Sequence, residues 1–107
     1  MRRGNLYRVR RLPGDPRPAR VFVIVSRQAV LDSKFSTAVC APIYTHGREL
    51  GTQVAVGPEE GLKHPSWIFC DDLASVRKSQ LTDFVGALSP AKLFALSRAL
   101  RIALDIS

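Results

Sequence analysis

The residues of this 107-residue chain that are best suited to chemistry are arginines, and they cluster at its start. Residues 1–27 hold eight arginines, no lysine and one acid, Asp15, for a net charge of +7, whereas residues 28–107 hold eight basic and eight acidic residues. Arginine binds phosphate and carboxylate groups through two parallel N–H donors. This stretch therefore favours an anionic partner, either nucleic acid or an acidic protein segment. A solvated, arginine-rich strand with no partner is the alternative interpretation.

Arg20 has the most constrained position among these arginines. It precedes Val21–Val25, an apolar and mostly β-branched run that predicts a strand buried on both faces. Such a strand holds its first residue rigidly, so Arg20 is well placed to meet an anion at the mouth of a sheet. The alternative is an ion pair with Asp15 or Asp71 that closes this end of the fold.

The sequence predicts neither a metal site nor a cofactor. No group of histidine, cysteine and acidic residues has metal-ligand spacing, and the glycine-flanked segment 57–61 carries two glutamates where a phosphate would sit. Cys40 and Cys70 each lie in an apolar run, which favours buried, unpaired thiols in a reducing compartment.

The longest apolar runs are too short to span a bilayer. The basic N-terminus leads into a polar strand pattern and not into an apolar segment, so no signal peptide is predicted. These two features predict a cytoplasmic protein with no membrane partner.

The order of elements predicts an α+β fold in a single domain, residues 1–107. Strands are expected at residues 4–11, 20–26, 36–43, 52–56, 67–70, 73–76 and 83–88, with one helical turn within residues 27–35. Ser89 and Pro90 form a helix start, with serine as N-cap and proline in the first turn. The apolar face of that helix is formed by Leu93, Leu96, Leu100, Ala103 and Leu104. The expected architecture is a barrel or curled sheet with this helix packed on it.

Three local features complete the expected layout. The first strand is expected to be half-exposed, with Tyr7 and Val9 on one face. Residues 12–19 contain three prolines and one glycine, which predicts a stiff surface excursion between two strands. Pro42 predicts that its strand lies at an edge of the sheet or ends there.

Five segments in this order resemble a known family. They are residues 3–7 (RGNLY), 20–26 (RVFVIVS), 38–43 (AVCAPI), 68–73 (IFCDDL) and the tail formed by 88–92 (LSPAK) with 98–104 (RALRIAL). In this order and spacing they resemble the MazF/PemK toxins of bacterial toxin–antitoxin systems. The resemblance implies an SH3-like small β-barrel of the CcdB/MazF type, with short, mainly antiparallel strands, a C-terminal helix and a homodimeric assembly. It also implies a sequence-specific endoribonuclease that cleaves single-stranded RNA without metal, by attack of the ribose 2′-OH, and that an acidic antitoxin neutralises.

The resemblance also assigns catalytic positions. The family arginine that opens the buried strand corresponds to Arg20, although the proline that often follows it is Val21 here. The family threonine falls at Tyr44, with Thr45 one residue later, and Asn5 stands where the family usually has an acid. Asp71 has the place of an aspartate used by some members, and the basic residue that precedes it there is Phe69 here.

Cleavage through the 2′-OH needs a base, an acid for the 5′ oxygen and charge stabilisation at the phosphate. Arg20 supplies the last of these, and Tyr44 or Thr45 can donate to the phosphate or orient the 2′-OH. His46 titrates near neutrality and is a candidate acid or base, whereas His64 is interpreted as structural or solvent-facing. Strand-end packing for Tyr44 and Thr45, and an exposed loop position for His46, are the alternatives.

The remaining predicted contacts are with RNA. Basic residues expected to bind its backbone are Arg8, Arg10, Arg17 and Arg27, and Tyr7 or Phe35 is available for base stacking. Two other functions fit the same sequence: a non-catalytic, CcdB-like toxin that binds a topoisomerase, and an RNA-binding SH3-like module. RNA cleavage in the presence of EDTA would separate the endoribonuclease from both of these alternatives.

Overall fold

The computed structural model describes residues 1–10, 14, 16 and 19–106. Its strands and helices in chain order are β1 (Asn5–Val9), β2 (Arg20–Ile24), α1 (Gln28–Asp32), β3 (Thr37–Tyr44), β4 (Gln53–Val56), β5 (Ser66–Phe69), β6 (Ala74–Arg77), β7 (Asp83–Ala87) and α2 (Pro90–Ala103). Three short 3₁₀ turns, Pro58–Glu60, Cys70–Asp72 and Lys78–Gln80, join the later strands. Each predicted strand is therefore present, with ends that shift by one or two residues. Most of the predicted excursion over residues 12–19 lies outside the described residues.

The seven strands form one curled antiparallel sheet in the order β4-β5-β3-β2-β1-β7, and β6 pairs with β3 on the same side as β5. The eight-residue strand β3 lies at the centre and pairs with β2, β5 and β6. The sheet and its C-terminal helix confirm the predicted α+β fold. Because β1 and β2 are antiparallel, the end of β1 lies beside the start of β2.

Pro42 does not mark an edge strand, so that half of the prediction is wrong, whereas the strand does end two residues later, at Tyr44. The residue is fully buried within the central strand β3, opposite Phe22 of β2. On the other side of β3, β6 pairs with residues 37–40 and β5 pairs with residues 43–44. Pro42 falls in the gap between them, where the absence of a backbone N–H breaks no ladder of hydrogen bonds.

Apolar residues fill both faces of the sheet. The larger cluster packs under α2 and includes Leu6, Val23, Ile68 and Leu96, while the smaller one packs under α1 and includes Tyr7, Ile24, Leu31 and Cys40. The first strand is thus not half-exposed, because its adjacent residues Leu6 and Tyr7 enter different clusters. Alternation along β1 was predicted correctly, but neither face is open at these two positions.

Helix α2 begins as predicted. The Ser89 Oγ accepts a hydrogen bond from the Lys92 backbone N–H at 3.2 Å, and Pro90 occupies the first turn. Leu96 and Ala99 are its buried residues, whereas Leu104 is 53% exposed. The helix ends at Ala103 and Asp105 adopts a left-handed conformation (φ 54°), so the helical period no longer applies to Leu104. Within the described ranges, no helix is long and apolar enough to cross a membrane.

Candidate functional site

Arg20 and Tyr44 meet where β2 begins and β3 ends. The register pairs Val21 with Ile43, which brings the preceding Arg20 beside the following Tyr44. The Arg20 Nη1 donates a hydrogen bond to the Tyr44 hydroxyl at 3.1 Å, and the guanidinium carbon lies 5.6 Å from the centre of the Tyr44 ring. The phenol therefore holds the guanidinium at the end of a rigid strand pair.

The Tyr44 ring in turn orders His46. The two rings are stacked, with centres 5.4 Å apart and planes 21° apart. Phe69 packs edge-on against both, at 4.9 Å from Tyr44 and 5.8 Å from His46. At Gly47 the backbone then passes close to the Trp67 side chain. A Cβ at this position would lie 2.4 Å from Cγ of Trp67, so a larger residue would clash there. His46 is exposed, yet its ring is packed against two aromatic neighbours.

These residues line a cavity of about 450 Å³. Its walls include Arg20, Tyr44, Thr45 and His46, so four of the five predicted catalytic residues come together, and Arg8 adds a second guanidinium. Among the described residues that line it, there is no carboxylate. Such a surface suits an anionic ligand, with hydroxyl donors and an imidazole beside the cations.

Two further lining residues, Lys63 and His64, were not predicted to belong to the site. Both precede β5, and β5 runs antiparallel to β3 with Trp67 opposite Tyr44. The residues before β5 therefore extend past the end of β3, towards Thr45 and His46. The interpretation of His64 as structural or solvent-facing is incomplete, since this exposed residue is part of the cavity wall. Pairing between β3 and β5 was the signal that could have found it.

Asp71 does not join the cavity. It lies on the 3₁₀ turn Cys70–Asp72, which follows β5 and is on the opposite side of the Tyr44–Trp67 pair from the cavity residues His64 and Ser66. That turn packs against α2. Ion pairs within the described part of the chain involve Asp83 and not Asp71. The alternative in which Arg20 pairs with Asp71 is therefore wrong as well. The Asp15 version lies outside the described residues.

Residues 2–104 match the family model described as PemK-like, MazF-like toxin of type II toxin–antitoxin system. This chain belongs to that family. The resemblance found in the sequence is therefore confirmed over nearly the whole chain.

Individual relatives agree with the family match. The endoribonuclease MazF3 of Mycobacterium tuberculosis is 33% identical over 88 residues, which cover 82% of this chain and 84% of that protein. A solved mycobacterial endoribonuclease in complex with its cognate antitoxin has a TM-score of 0.85 and 28% identity, covering 100% of this chain and 97% of its own. A MazE–MazF structure from Deinococcus radiodurans, with a TM-score of 0.79 and 14% identity over 100% and 97% of the two chains, shares the fold.

In this PemK-like, MazF-like toxin, the arginines that are clustered in sequence separate in space. Arg8 lies in β1 and Arg10 directly follows that strand, so both are near the start of β2. Their guanidinium groups approach Asp83 Oδ2, at 3.7 Å for Arg8 and 3.5 Å for Arg10. Arg27 follows β2 and lies at the opposite end of the sheet, so it does not join the Arg20 cavity. Arg17 lies outside the described residues. We call the end with Arg20 the cavity end and the end with Arg27 the capped end.

At the capped end, cations are bonded to the protein itself. Arg3 donates from Nε to the Val25 carbonyl at 3.1 Å and from Nη2 to the Ser97 hydroxyl at 3.2 Å. Lys78 Nζ donates to the carbonyls that end α1, at 2.6 Å for Val30 and 2.9 Å for Ser33. These bonds fasten α1 and α2 to the sheet, which is a structural role.

Of the two residues predicted to be available for base stacking, Tyr7 is almost fully buried. The residue is 9% exposed and its ring packs edge-on against Phe84, with centres 5.7 Å apart. The exposed ring of this pair is Phe84, at 57%. Phe35 is also exposed, but it lies at the capped end beside Arg27.

Both cysteines are buried and free, as predicted. Burial raises the pKa of the Cys40 thiol to about 12. Burial, together with the nearby Asp71 charge, raises the pKa of the Cys70 thiol to about 11. Neither thiol is a nucleophile near neutral pH, because the thiolate is the reactive form. Among the described residues, no group of three or more histidine, cysteine or acidic side chains could hold a metal ion.

Proposed function

We propose that this chain is an endoribonuclease toxin of a type II toxin–antitoxin system, and that it cleaves single-stranded RNA at the Arg20 cavity. The observation that carries the proposal is the Arg20 guanidinium, hydrogen-bonded to Tyr44 in a cavity lined by cations and aromatic rings and, among its described residues, by no acid. The function of the mycobacterial relatives supports the reaction type.

The reaction we propose begins with attack of the ribose 2′-oxygen on the adjacent phosphorus. As the O2′–P bond forms, the P–O5′ bond breaks, leaving a 2′,3′-cyclic phosphate and a 5′-hydroxyl. Arg20 stabilises the charge that builds on the non-bridging oxygens, because two parallel N–H donors match them. Tyr44 fixes the guanidinium, and Thr45 supplies a hydroxyl that can orient the 2′-OH.

Proton transfer falls to His46 in this proposal. An arginine remains protonated at any working pH and is a poor base, whereas imidazole changes its charge between pH 5 and pH 8. The stack on Tyr44 keeps His46 on the wall that Arg20 also lines. Arg8 and Arg10 attract the phosphates on either side of the cut, and Arg17 remains a predicted contact of the same kind.

A long RNA incubated with the protein in EDTA tests this function. We expect discrete fragments whose mapped ends carry a 2′,3′-cyclic phosphate and a 5′-hydroxyl, with the recognition sequence read from the cut sites. Binding without cleavage would instead assign an RNA-binding module. Inhibition of a topoisomerase without either RNA effect would assign the CcdB-like alternative.

We further propose an acidic antitoxin and a cytoplasmic site of action, where messenger RNA is available. The antitoxin complex of the mycobacterial neighbour supports the partner. An acidic segment and RNA would compete for the cations of the cavity end, and both would bind more weakly as salt rises. Titration of an RNA complex with the antitoxin measures this, and a stable ternary complex would contradict it.

A homodimer is the assembly we propose. Large apolar side chains are exposed on several elements, including Phe94 at 74% and Phe35 at 64%. Phe35, Val39 and Leu104 line one groove, and a contiguous exposed apolar surface on a small protein is typical of an association site. Sedimentation at micromolar concentration should give twice the 11.8 kDa chain mass, and a monomer alone would contradict the proposal.

A further inference from the structure

The chain contains two histidines, and both line the same cavity. His46 comes from the connection after β3, and His64 comes from the segment before β5. The two segments are brought together by antiparallel pairing of Tyr44 with Trp67. The second histidine therefore reaches the Arg20 cavity through the topology of the sheet and not through closeness in sequence.

The segment that carries His64 is fixed against β7 on its N-terminal side. Gly61 adopts φ +93°, and a Cβ there would lie 2.2 Å from the Val85 carbonyl oxygen. A Cβ on Gly86 would lie 2.0 Å from the Glu60 carbonyl oxygen. Only glycine permits this approach of two backbones. Leu62 then packs on the larger apolar cluster, immediately before Lys63 and His64.

The same segment is fixed on its C-terminal side. The buried Ser66 donates from Oγ to the His64 carbonyl oxygen at 2.9 Å, which ties the histidine backbone to the first residue of β5. On the N-terminal side, the buried Glu60 carboxylate also accepts a hydrogen bond from the Gly57 backbone N–H at 2.7 Å. His64 is thus an exposed imidazole on an anchored backbone, which is the placement that a group acting on a ligand requires.

RNA cleavage by attack of the ribose 2′-OH needs two proton transfers, one from the attacking oxygen and one to the leaving oxygen. Of the charged or titratable groups that line the cavity, Arg8, Arg20 and Lys63 are cations suited to charge stabilisation. His46 and His64 contribute two imidazoles, a group whose chemistry allows it both to accept and to donate a proton.

We propose that His64 is the second proton-transfer residue of this site and that it forms an acid–base pair with His46. This inference rests on the function proposed above. One imidazole takes the proton of the 2′-OH as the O2′–P bond forms, and the other gives its proton to O5′ as the P–O5′ bond breaks. The pair ends with its protonation states exchanged, and water restores them before the next turnover.

The first test is the pH dependence of cleavage in His64→Gln. Wild-type protein should show a bell-shaped profile of rate against pH, and the variant should lose one limb and at least 10²-fold of its rate at the optimum. Lys63→Gln is the matched control, since it removes the charge of the preceding residue in the same cavity wall and leaves both imidazoles in place. It should raise KM and keep both limbs. A His64→Gln profile with both limbs intact would overturn the proposal.

The second test uses an oligonucleotide with sulfur in place of the 5′-bridging oxygen at the mapped cut site. Sulfur leaves without protonation, so the loss caused by removing the acid should disappear and the loss caused by removing the base should persist. Of His46→Gln and His64→Gln, one should be rescued and the other should not. Rescue of both variants, or of neither, would contradict an acid–base pair. If wild-type protein does not cut RNA at all, the proposed function itself fails, which is a different result.

Discussion

The cavity end and the capped end of the sheet receive arginines from the same stretch of sequence and use them differently. At the capped end, Arg3 and Lys78 are bonded to carbonyl and hydroxyl oxygens of the fold. At the cavity end, the partner of the Arg20 side chain among the described residues is the Tyr44 phenol, beside an open volume. A cation is a candidate for ligand binding when the protein positions it without using all of its donors, and charge density alone does not reveal this.

The largest expected effect that separates the two ends is on catalysis. Arg20→Ala should lower the cleavage rate by roughly 10²-fold or more, the scale for loss of one donor to a developing oxyanion. Arg20→Lys should also be impaired, because an ammonium cannot make the bidentate contact. RNA binding should fall much less, and the variant should melt like the wild type. Near-normal cutting by Arg20→Ala would make Arg20 a structural residue.

The matched change at the capped end is Arg3→Ala. It removes side-chain bonds to Val25 and Ser97, so we expect it to lower the free energy of unfolding by about 1–3 kcal/mol. Urea denaturation measures this. The cleavage rate of the folded variant should remain close to wild type. If Arg3→Ala instead inactivates a fully stable protein, the distinction between the ends is wrong.

A smaller effect is expected from Tyr44→Phe, which keeps the stack with His46 and removes the hydroxyl that accepts from Arg20. Loss of one such hydrogen bond costs about 1 kcal/mol, so the rate should fall by roughly fivefold with an unchanged pH profile. Single-turnover kinetics would measure it. A loss as large as that of Arg20→Ala would show that the hydroxyl itself acts on the RNA.

Much of the fold could be predicted from the sequence, because hydrophobic alternation and the Ser89–Pro90 start are local signals. The errors came from tertiary pairing. Pro42 reads as an edge residue until β5 and β6 are seen to leave a gap beside it. Arg20, Tyr44, Thr45 and His46 could be grouped from two strand ends, but His64 required the β3–β5 pairing.

Salt dependence of binding should distinguish the ends by a modest amount. For a short RNA centred on the cut site, Arg8→Gln and Arg10→Gln should each reduce the slope of log affinity against log salt by about 0.7, the value for one phosphate on a single strand. Because Asp83 lies near both guanidinium groups, the change in slope caused by each substitution should be somewhat smaller than this value. Arg27→Gln tests whether the capped end contributes, and on this geometry its slope should match wild type.

Alkaline pH is expected to destabilise the fold through its two buried thiols. Thiols of the unfolded chain ionise near pH 8.5, whereas the pKa values of Cys40 and Cys70 are raised to about 12 and about 11. Above pH 9 the native state therefore retains protons that the unfolded state has lost, and the free energy of unfolding falls as pH rises. Urea melts from pH 8 to pH 10.5 should show this decline. Cys40→Ala and Cys70→Ala together should flatten it.

The contact of Gly61 and Gly86 across the His64 segment and β7 has a consequence for protein synthesis. On the ribosome, residues 57–66 are synthesised before β7. Strand β1 also pairs with β7, so its outer edge stays unpaired until β7 has been made. Until β7 has been translated and has paired with Tyr7 and its neighbours, the segment that carries Lys63 and His64 lacks its backbone contacts with Val85 and Gly86. A nascent chain that stops short of β7 lacks this anchor of the cavity wall, so we expect the Arg20 cavity to be completed only when translation of the chain is nearly finished.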